Sequence, residues 1–337
     1  MSYEISAEIR EKAPLVLAEI KKAKNILLHC HPSPDPDSVC SALAMKFALA
    51  KLGKEATIIK GDSEIPEAFK HFPGASEILM KSFWEIKPVD YDLFIILDSD
   101  IGGVSRLKKV ELPKEMMVIN IDHHKTNSGQ GRINIVDSTY PATAQLLFDI
   151  FRIMEVNITP EIAANLFMGI FTDTGFKYEG TSSATFEVAS ILAKIYPAFP
   201  KLISIMENSN TLDDIAFRGM TLSSIESFYD DKVLLSVIPY ELIREKKIPD
   251  VSVSAGSNSV LIRTVKGVEI AGVLIEPRPG RIKMSFRSGG SETCDVSRLA
   301  VALGGGGHRL AAGVDVEMSL PEAKIRVVEK IKELYNL

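Results

Sequence analysis

An Asp-His-His triplet that follows a mostly apolar run is the feature of this chain best suited to chemistry. The run at residues 117–121 is typical of a buried strand, and Asp122, His123 and His124 come at its end. Charged and polar groups placed there are costly to desolvate unless a cation or a hydrogen-bond network receives them. We therefore predict that the triplet belongs to a metal or catalytic site.

Further acidic clusters follow other apolar runs. His31, Asp35 and Asp37 come after the first run, Asp98 comes after another, and Asp173 lies in a later Thr-Asp-Thr-Gly sequence. Carboxylates and imidazoles together form a hard, mixed oxygen and nitrogen site that suits Mn²⁺ or Mg²⁺. Taken alone, the first cluster has a simpler interpretation as an Asp/Pro turn before a helix.

The residue types suggest different roles within this set. Asp35 and Asp37 alternate along an extended segment and could face two different ions, while the two oxygens of Asp98 could bridge those ions. Asp122 could orient a metal-binding imidazole through a hydrogen bond without binding the metal itself. His124 could contact a phosphate or protonate a leaving oxygen.

The first half of the chain alternates short apolar strands with helical patterns, which predicts a parallel sheet covered on both faces. Ligands of such sheets bind at the carboxyl ends of the strands, where the three acidic clusters fall. The predicted strands are residues 25–31, 56–60, 93–97, 117–121 and 133–136. The predicted helices are residues 38–52, with Ser38 as the cap and Gly53 as the stop, 142–154 and 160–171.

The second half changes character and predicts a smaller α/β domain with a mixed or antiparallel sheet. Its predicted strands are residues 232–239, 259–265, 269–276, 281–287 and 313–318, and its predicted helices are residues 296–303 and 321–337. The polar stretch at residues 207–210 is typical of a connector. We expect a first domain over residues 1–187, a helical linker over 188–210 and a second domain over 211–337.

A glycine run at residues 304–307 precedes His308 in the second half. Such a run lets the backbone approach an anion closely and offers several N–H donors, although a flexible loop is the alternative interpretation. Basic residues outnumber acidic ones in the surrounding sequence, and Arg287 and Ser288 end a predicted strand shortly before the run. This arrangement favours a phosphate clamp.

The composition limits the classes of function. The chain has 337 residues and a formal net charge of −5, which argues against a protein that coats long nucleic acids but permits a small anionic substrate. Three cysteines without metal spacing are typical of a reducing compartment. The N-terminus does not resemble a signal peptide, and no apolar run reaches the ~20 residues of a membrane span. We expect a cytoplasmic protein without membrane contact.

The ordered motifs resemble those of the DHH phosphoesterases: His31-x-x-Pro-Asp35-x-Asp37, Asp98, Asp122-His123-His124 and Thr172-Asp173-Thr174-Gly175. The second half is similar to the DHH-associated domain of the nanoRNase/pAp-phosphatase branch, and the resemblance covers nearly the whole chain. It implies a Rossmann-like first domain, a smaller α/β second domain, and an active site in the cleft between them.

The resemblance also implies two manganese ions, with Mg²⁺ as an alternative. One ion would be held by His31, Asp35 and Asp98, and the other by Asp37, Asp98, His123 and Asp173. The catalytic residues would be His124 and Asp122. The substrate would be bound by Arg287, Ser288, Gly305, Gly306, Gly307 and His308.

The implied reaction is hydrolysis of short single-stranded oligonucleotides, of about two to five nucleotides, to 5′-mononucleotides, or of 3′-phosphoadenosine 5′-phosphate (pAp) to AMP. A phosphodiesterase acting on linear or cyclic dinucleotides is a close alternative, and a manganese pyrophosphatase shares the first motifs. A nucleotide-binding sensor on a decayed site is the alternative that is not an enzyme. Long duplex nucleic acid is not an expected partner. Whether the protein forms a homodimer stays an open question.

Overall fold

The computed structural model describes residues 3–177, 180–250, 253, 256–290, 294–307 and 309–335. The chain divides into two compact units, Met1–Ser209 and Asn210–Leu337. Each unit contains a six-stranded sheet with helices. The predicted two-domain α/β fold is therefore confirmed.

The sheet of the first unit is parallel throughout and has the strand order β3-β2-β1-β4-β5-β6. Its strands are β1 (Ile26–His29), β2 (Ala56–Ile59), β3 (Ile78–Leu79), β4 (Leu93–Leu97), β5 (Met117–Asp122) and β6 (Ile133–Val136). Strand β1 lies between β2 and β4, so the chain adds β2 and β3 on one side of β1 and β4 to β6 on the other side. This reversal of strand order opens a crevice at the carboxyl ends of β1 and β4.

The helices of the first unit are α1 (Ala7–Lys22), α2 (Pro36–Lys51), α3 (Thr143–Ile153), α4 (Pro160–Thr174), α5 (Ser183–Ile195) and α6 (Phe199–Glu207). Short 3₁₀ helices occupy Glu67–His71, Ala75–Glu77, Phe83–Glu85, Pro88–Asp90 and Ile101–Gly103. Alternate strand residues face two apolar cores. Leu28 and Ile95 belong to one core with α1 to α4, whereas Leu27 and Phe94 belong to the other.

Two helix boundaries of the first unit differ from the prediction by two residues or more. Helix α2 is capped by Asp35, whose Oδ1 accepts the N–H of Ser38 at 2.9 Å, so the predicted cap at Ser38 was wrong. Pro36 has no N–H to satisfy, and its fixed φ suits the first helical position. Helix α4 continues three residues beyond the prediction to Thr174, and its C-cap is Gly175, whose φ is +50°. Asp173 therefore lies in the last turn of a helix.

The sheet of the second unit is mixed, with the strand order β11-β12-β10-β9-β8-β7. Its strands are β7 (Ile225–Phe228), β8 (Val233–Ile238), β9 (Ile270–Arg278), β10 (Arg281–Ser288), β11 (Gly306–Gly307) and β12 (Ala311–Glu317). Strands β8 and β9 pair in parallel, and the other pairs are antiparallel. The helices are α7 (Leu212–Ser223), α8 (Tyr240–Glu245), α9 (Gly256–Ile262), α10 (Val296–Ala302) and α11 (Leu320–Tyr335).

The strand predicted at residues 259–265 was wrong, because this segment contributes to helix α9. Asn258, Ser259 and Ile262 are buried, a spacing that places them on one face of a helix. The Ser259 Oγ also donates to the carbonyl of Gly256 at 2.8 Å. A short apolar run has no periodicity long enough to separate a strand from a helix, and packing against β9 decided the outcome here.

Among the helices of the described residues, none is long and apolar enough by itself to cross a membrane. Helices α5 and α6 reach the necessary length and composition only as a pair, with a bend of 108° between them.

Candidate metal centre

The structure brings the six predicted metal ligands together at the carboxyl ends of β1, β4 and β5 and the last turn of α4. Their ligand atoms form overlapping groups, and the atoms of each group lie within 4.8 Å of one another. One group contains His31, Asp35 and Asp98, and another contains Asp37, His123 and Asp173. A further group joins Asp98 to the triplet Asp122, His123 and His124.

Asp98 lies between the two ligand groups. Its Oδ2 is 4.0 Å from the His31 Nε2, which in turn is 3.0 Å from the Asp35 Oδ2. Its Oδ1 is 3.6 Å from the His123 Nε2, which is 3.4 Å from the Asp173 Oδ2. Each oxygen of this one carboxylate therefore faces a different group.

The backbone at Asp98 is bent to make this placement. Its φ is +58°, in the left-handed region, and its N–H donates to the carbonyl of Ile121 at 3.0 Å. The Thr143 hydroxyl also donates to the Asp98 Oδ1 at 3.0 Å. Non-glycine residues with this conformation cluster at functional sites, where the surrounding structure holds them in place.

Asp37 is fixed by the N-terminus of α3. The N–H groups of Thr143 and Ala144 donate to its two oxygens at 2.7 and 3.0 Å, an arrangement that the helix dipole favours. Gly169 of α4 makes room for this contact. A Cβ at Gly169 would lie 2.6 Å from both the Asp37 Oδ1 and the Ala144 Cβ, so α4 can approach only with glycine here.

The cluster concentrates acidic groups away from water. Burial and the neighbouring Asp35 raise the pKa of Asp37 to about 7. Burial and neighbouring carboxylates raise the pKa of Asp98 and the pKa of Asp173 well above their usual range. A divalent cation is the group that compensates such crowded carboxylates, and this set of oxygen and imidazole donors fits Mn²⁺ or Mg²⁺.

The acid of the Asp-His-His triplet orients the second histidine. The Asp122 Oδ1 lies 2.6 Å from the His124 Nδ1 and accepts the His124 N–H at 3.1 Å. The His123 Nδ1 instead lies 3.3 Å from the carbonyl of Tyr140. Asp122 therefore orients His124, whereas the Nδ1 of His123 faces a carbonyl from another segment.

His124 is held in a strongly acidic environment. Burial lowers the pKa of His124, but the hydrogen bond and the charge of Asp122 outweigh burial and leave this pKa above its usual value. An imidazole held through Nδ1 in this way is suited to donating a proton from its other nitrogen.

Two asparagines that were not predicted from the sequence support the pair formed by Asp122 and His124. The Asn127 Nδ2 donates to the Asp122 Oδ2 and to the Asn120 Oδ1, both at 2.8 Å. The Asn120 Nδ2 donates to the Ser99 carbonyl at 2.6 Å, which links the network to the residue after Asp98. An amide within an otherwise apolar strand was the available signal for Asn120, whereas nothing in the sequence marked Asn127.

The predicted substrate residues lie in the second unit. Arg287 is in β10, where its guanidinium donates to the Ser285 Oγ at 3.1 Å and to the Phe286 carbonyl at 2.9 Å. Ser288 is buried, and its Oγ accepts the Gly290 N–H at 3.2 Å.

Part of the glycine run is a strand and not a flexible loop. Gly306 and Gly307 form β11, which pairs with β12. A Cβ at Gly305 would lie 2.1 Å from the Gly313 carbonyl oxygen, so this glycine permits a close approach of the backbone. His308 lies outside the described residues.

Comparison with known proteins places the chain in a family. The bifunctional oligoribonuclease and PAP phosphatase NrnA of Thermus thermophilus is 32% identical over 329 residues, which cover 96% of this chain and 94% of that relative. The family described as DHH family, N-terminal domain, matches residues 25–170. The chain belongs to the DHH family. As a DHH phosphoesterase it is a hydrolase, in agreement with the resemblance of its motifs.

Other proteins are similar to this chain over most of its length. A probable bifunctional oligoribonuclease and PAP phosphatase NrnA of Streptococcus mutans is 24% identical over 306 residues, which cover 89% of this chain and 92% of that protein. The crystal structure of an exopolyphosphatase-related protein from Bacteroides fragilis has a TM-score of 0.86 at 22% identity. The alignment with that structure covers 97% of this chain and 98% of the other, so the two chains share one fold.

Proposed function

We propose that this protein is a manganese-dependent phosphoesterase that hydrolyses short oligonucleotides to 5′-mononucleotides and pAp to AMP. The observation that carries the proposal is the position of Asp98, whose two oxygens face two separate ligand groups. Relatives named as bifunctional oligoribonucleases and PAP phosphatases support the choice of substrates. Mg²⁺ is the alternative ion.

Two ions would be held by the residues of the cluster. His31, Asp35 and Asp98 would hold one ion, and the other would be held by Asp37, Asp98, His123 and Asp173. When bound, two such ions supply charge stabilisation to the phosphoryl group and acidify an attacking water. The Tyr140 carbonyl would keep the His123 Nε2 directed at its ion, and the α3 N-terminus would hold Asp37.

Both reactions break the same bond. Release of a 5′-mononucleotide and release of the 3′-phosphate of pAp each cleave the bond between phosphorus and a 3′ oxygen. That oxygen leaves as a hydroxyl and needs a proton. We assign the proton to His124, which Asp122 orients through Nδ1 and whose pKa Asp122 raises.

The second unit would bind the nucleotide. Arg287 and Ser288 at the end of β10, together with Gly305, Gly306, Gly307 and His308, are the residues that we assign to the terminal phosphate or base. A guanidinium recognises phosphate oxygens through charge-assisted hydrogen bonds, and a glycine backbone lets the ligand approach its N–H groups.

A substrate panel tests the proposal. Metal-free protein is loaded with Mn²⁺ or Mg²⁺ and mixed with pAp, dinucleotides, five- and twenty-nucleotide RNA and DNA, cyclic di-AMP and pyrophosphate. The expected result is Mn²⁺-dependent formation of AMP from pAp and of 5′-mononucleotides from short strands. Hydrolysis of pyrophosphate alone, or turnover of a strand to 3′-mononucleotides, would overturn the proposal.

A further inference from the structure

A cavity of about 220 Å³ lies beside the ligand cluster, within the first unit. His31, Asp98 and His124 line part of it and belong to the proposed active site. Arg106 and Thr126 also line it, and the reaction described above gives neither residue a role. The volume is several times the ~30 Å³ that one water occupies, so the cavity can hold a larger polar group.

The backbone of Arg106 is held firmly at the edge of this cavity. Its N–H donates to the Asp62 Oδ2 at 2.7 Å, and the other oxygen of Asp62 accepts the Ser105 hydroxyl at 2.8 Å. The Trp84 Nε1 donates to the same Ser105 Oγ at 2.7 Å. Because Ser105 is buried and the Arg106 N–H is hydrogen-bonded, the backbone of Arg106 has a fixed position although the residue is exposed.

The guanidinium of Arg106 is not paired with protein acids. Throughout the described ranges, no carboxylate lies within 4.0 Å of it, although the cavity that it lines contains the carboxylates of Asp98 and Asp122. An arginine beside acidic groups that pairs with none of them keeps its planar fork of donors available for a ligand. That fork matches the oxygens of carboxylate and phosphate groups, and the proposed nucleotide substrates supply phosphate.

We propose that Arg106 binds a phosphate group of the nucleotide substrate in this cavity. The inference rests on the proposed function and deepens it by adding a phosphate contact from the first unit. His124 lines the same cavity, so the bound phosphate is either the reacting one or the next one on the leaving side of the strand. Both options are phosphate groups, and substrates with one or two internal phosphates distinguish between them.

Arg106→Ala is compared with wild type on a dinucleotide that has one internal phosphate and on a trinucleotide that has two. Loss of a charge-assisted phosphate contact should lower kcat/KM by about tenfold to a hundredfold. An equal loss on both substrates identifies the reacting phosphate. A loss confined to the trinucleotide identifies the neighbouring phosphate.

Two further variants separate binding from structure. Arg106→Lys keeps the charge but not the planar fork, so it should recover only part of the activity. Lys108→Ala is the matched control, because Lys108 is exposed, lies near the Trp84 ring and does not line the cavity. Its kcat/KM should equal that of wild type. Manganese content and melting temperature should be unchanged in all three variants.

Titration with inorganic phosphate gives a readout without turnover. The manganese-loaded protein should bind phosphate about tenfold or more weakly in Arg106→Ala than in wild type or Lys108→Ala. If wild type cleaves nucleotides and Arg106→Ala matches it on both substrates, the inference is wrong while the proposed function stands. If wild type cleaves none, the function fails, and equal phosphate affinity of wild type and Arg106→Ala would overturn the inference separately.

Discussion

Asp98→Asn is the substitution that most directly tests the two-metal assignment. Asparagine keeps the shape of the side chain and one oxygen that can accept the hydrogen bond from the Thr143 hydroxyl. The other oxygen is replaced by an NH₂ group, and the negative charge is lost. Since each Asp98 oxygen faces a different ligand group, the substitution should weaken both proposed ion sites at once. We expect most of the activity to be lost while the fold survives.

The loss of Mn²⁺ affinity can be measured as a smaller Mn²⁺-dependent rise in melting temperature. At a Mn²⁺ concentration of 100 times the dissociation constant, the binding of each ion stabilises the wild-type fold by about 2.7 kcal/mol. If Asp98→Asn loses about a hundredfold in affinity, the same concentration adds only about 0.4 kcal/mol. For a unit the size of Met1–Ser209, these values correspond to a rise in melting temperature of roughly 5–11 °C in wild type and about 1–2 °C in the variant.

Without metal, Asp98→Asn should lose its stability deficit relative to wild type or become the more stable protein. Burial and neighbouring carboxylates raise the pKa of Asp98 well above its usual range, so the charged form of this side chain opposes folding. Metal-free Asp98→Asn should therefore be at least as stable as metal-free wild type. A variant that is merely misfolded would be less stable under both conditions.

The assay measures melting temperature against MnCl₂ concentration, bound manganese per chain, and turnover of a dinucleotide. Asp137→Asn is the control, because Asp137 directly follows β6 at the same edge of the sheet but belongs to none of the ligand groups. It should behave like wild type in its response to Mn²⁺. An Asp98→Asn variant with the full wild-type rise in melting temperature and near-normal turnover would refute the bridging role.

Four further outcomes are expected. Asn127→Ala should lower kcat about tenfold at unchanged manganese content, because Asp122 and His124 lose their support; loss of manganese would contradict this. Gly169→Ala should cost about 1–3 kcal/mol of unfolding free energy in chemical denaturation, since its Cβ would meet Asp37. Arg287→Ala should raise KM about tenfold or more and leave manganese bound, as metal analysis would show. Finally, kcat/KM should be higher for strands of about two to five nucleotides than for a twenty-mer, with a shallow salt dependence; a preference for the twenty-mer would favour a processive exonuclease.

The strands of the first unit, apart from the two-residue β3, and the location of the site could be predicted from the sequence. Strands buried on both faces, such as β4, appear as continuous apolar runs, and any acid that follows such a run must lie at the carboxyl edge of a parallel sheet. The apolar runs alone therefore predict that Asp98 and the Asp-His-His triplet lie at one edge of the sheet. The ordered spacing of the motifs also identified the DHH family, which the relatives confirm.

Local capping and short elements were harder to predict. Asp35 and Ser38 are both good cap residues, and Asp35 is the cap because the helix begins at Pro36, whose fixed φ suits the first helical position. Residues 256–262 are too few for their periodicity to separate strand from helix, so packing on the sheet decided the outcome.

The partners within the site were decided only by tertiary structure. Asp122 is adjacent to His123 and two residues from His124 in the sequence, yet side-chain direction at the end of β5 gives it to His124, while Tyr140 from a distant segment contacts His123. Asn127 and Arg106 have ordinary sequence surroundings. The roles proposed for them depend on loops that fold back to the sheet edge, and hydrogen bonds between such distant segments leave no periodic pattern along the chain.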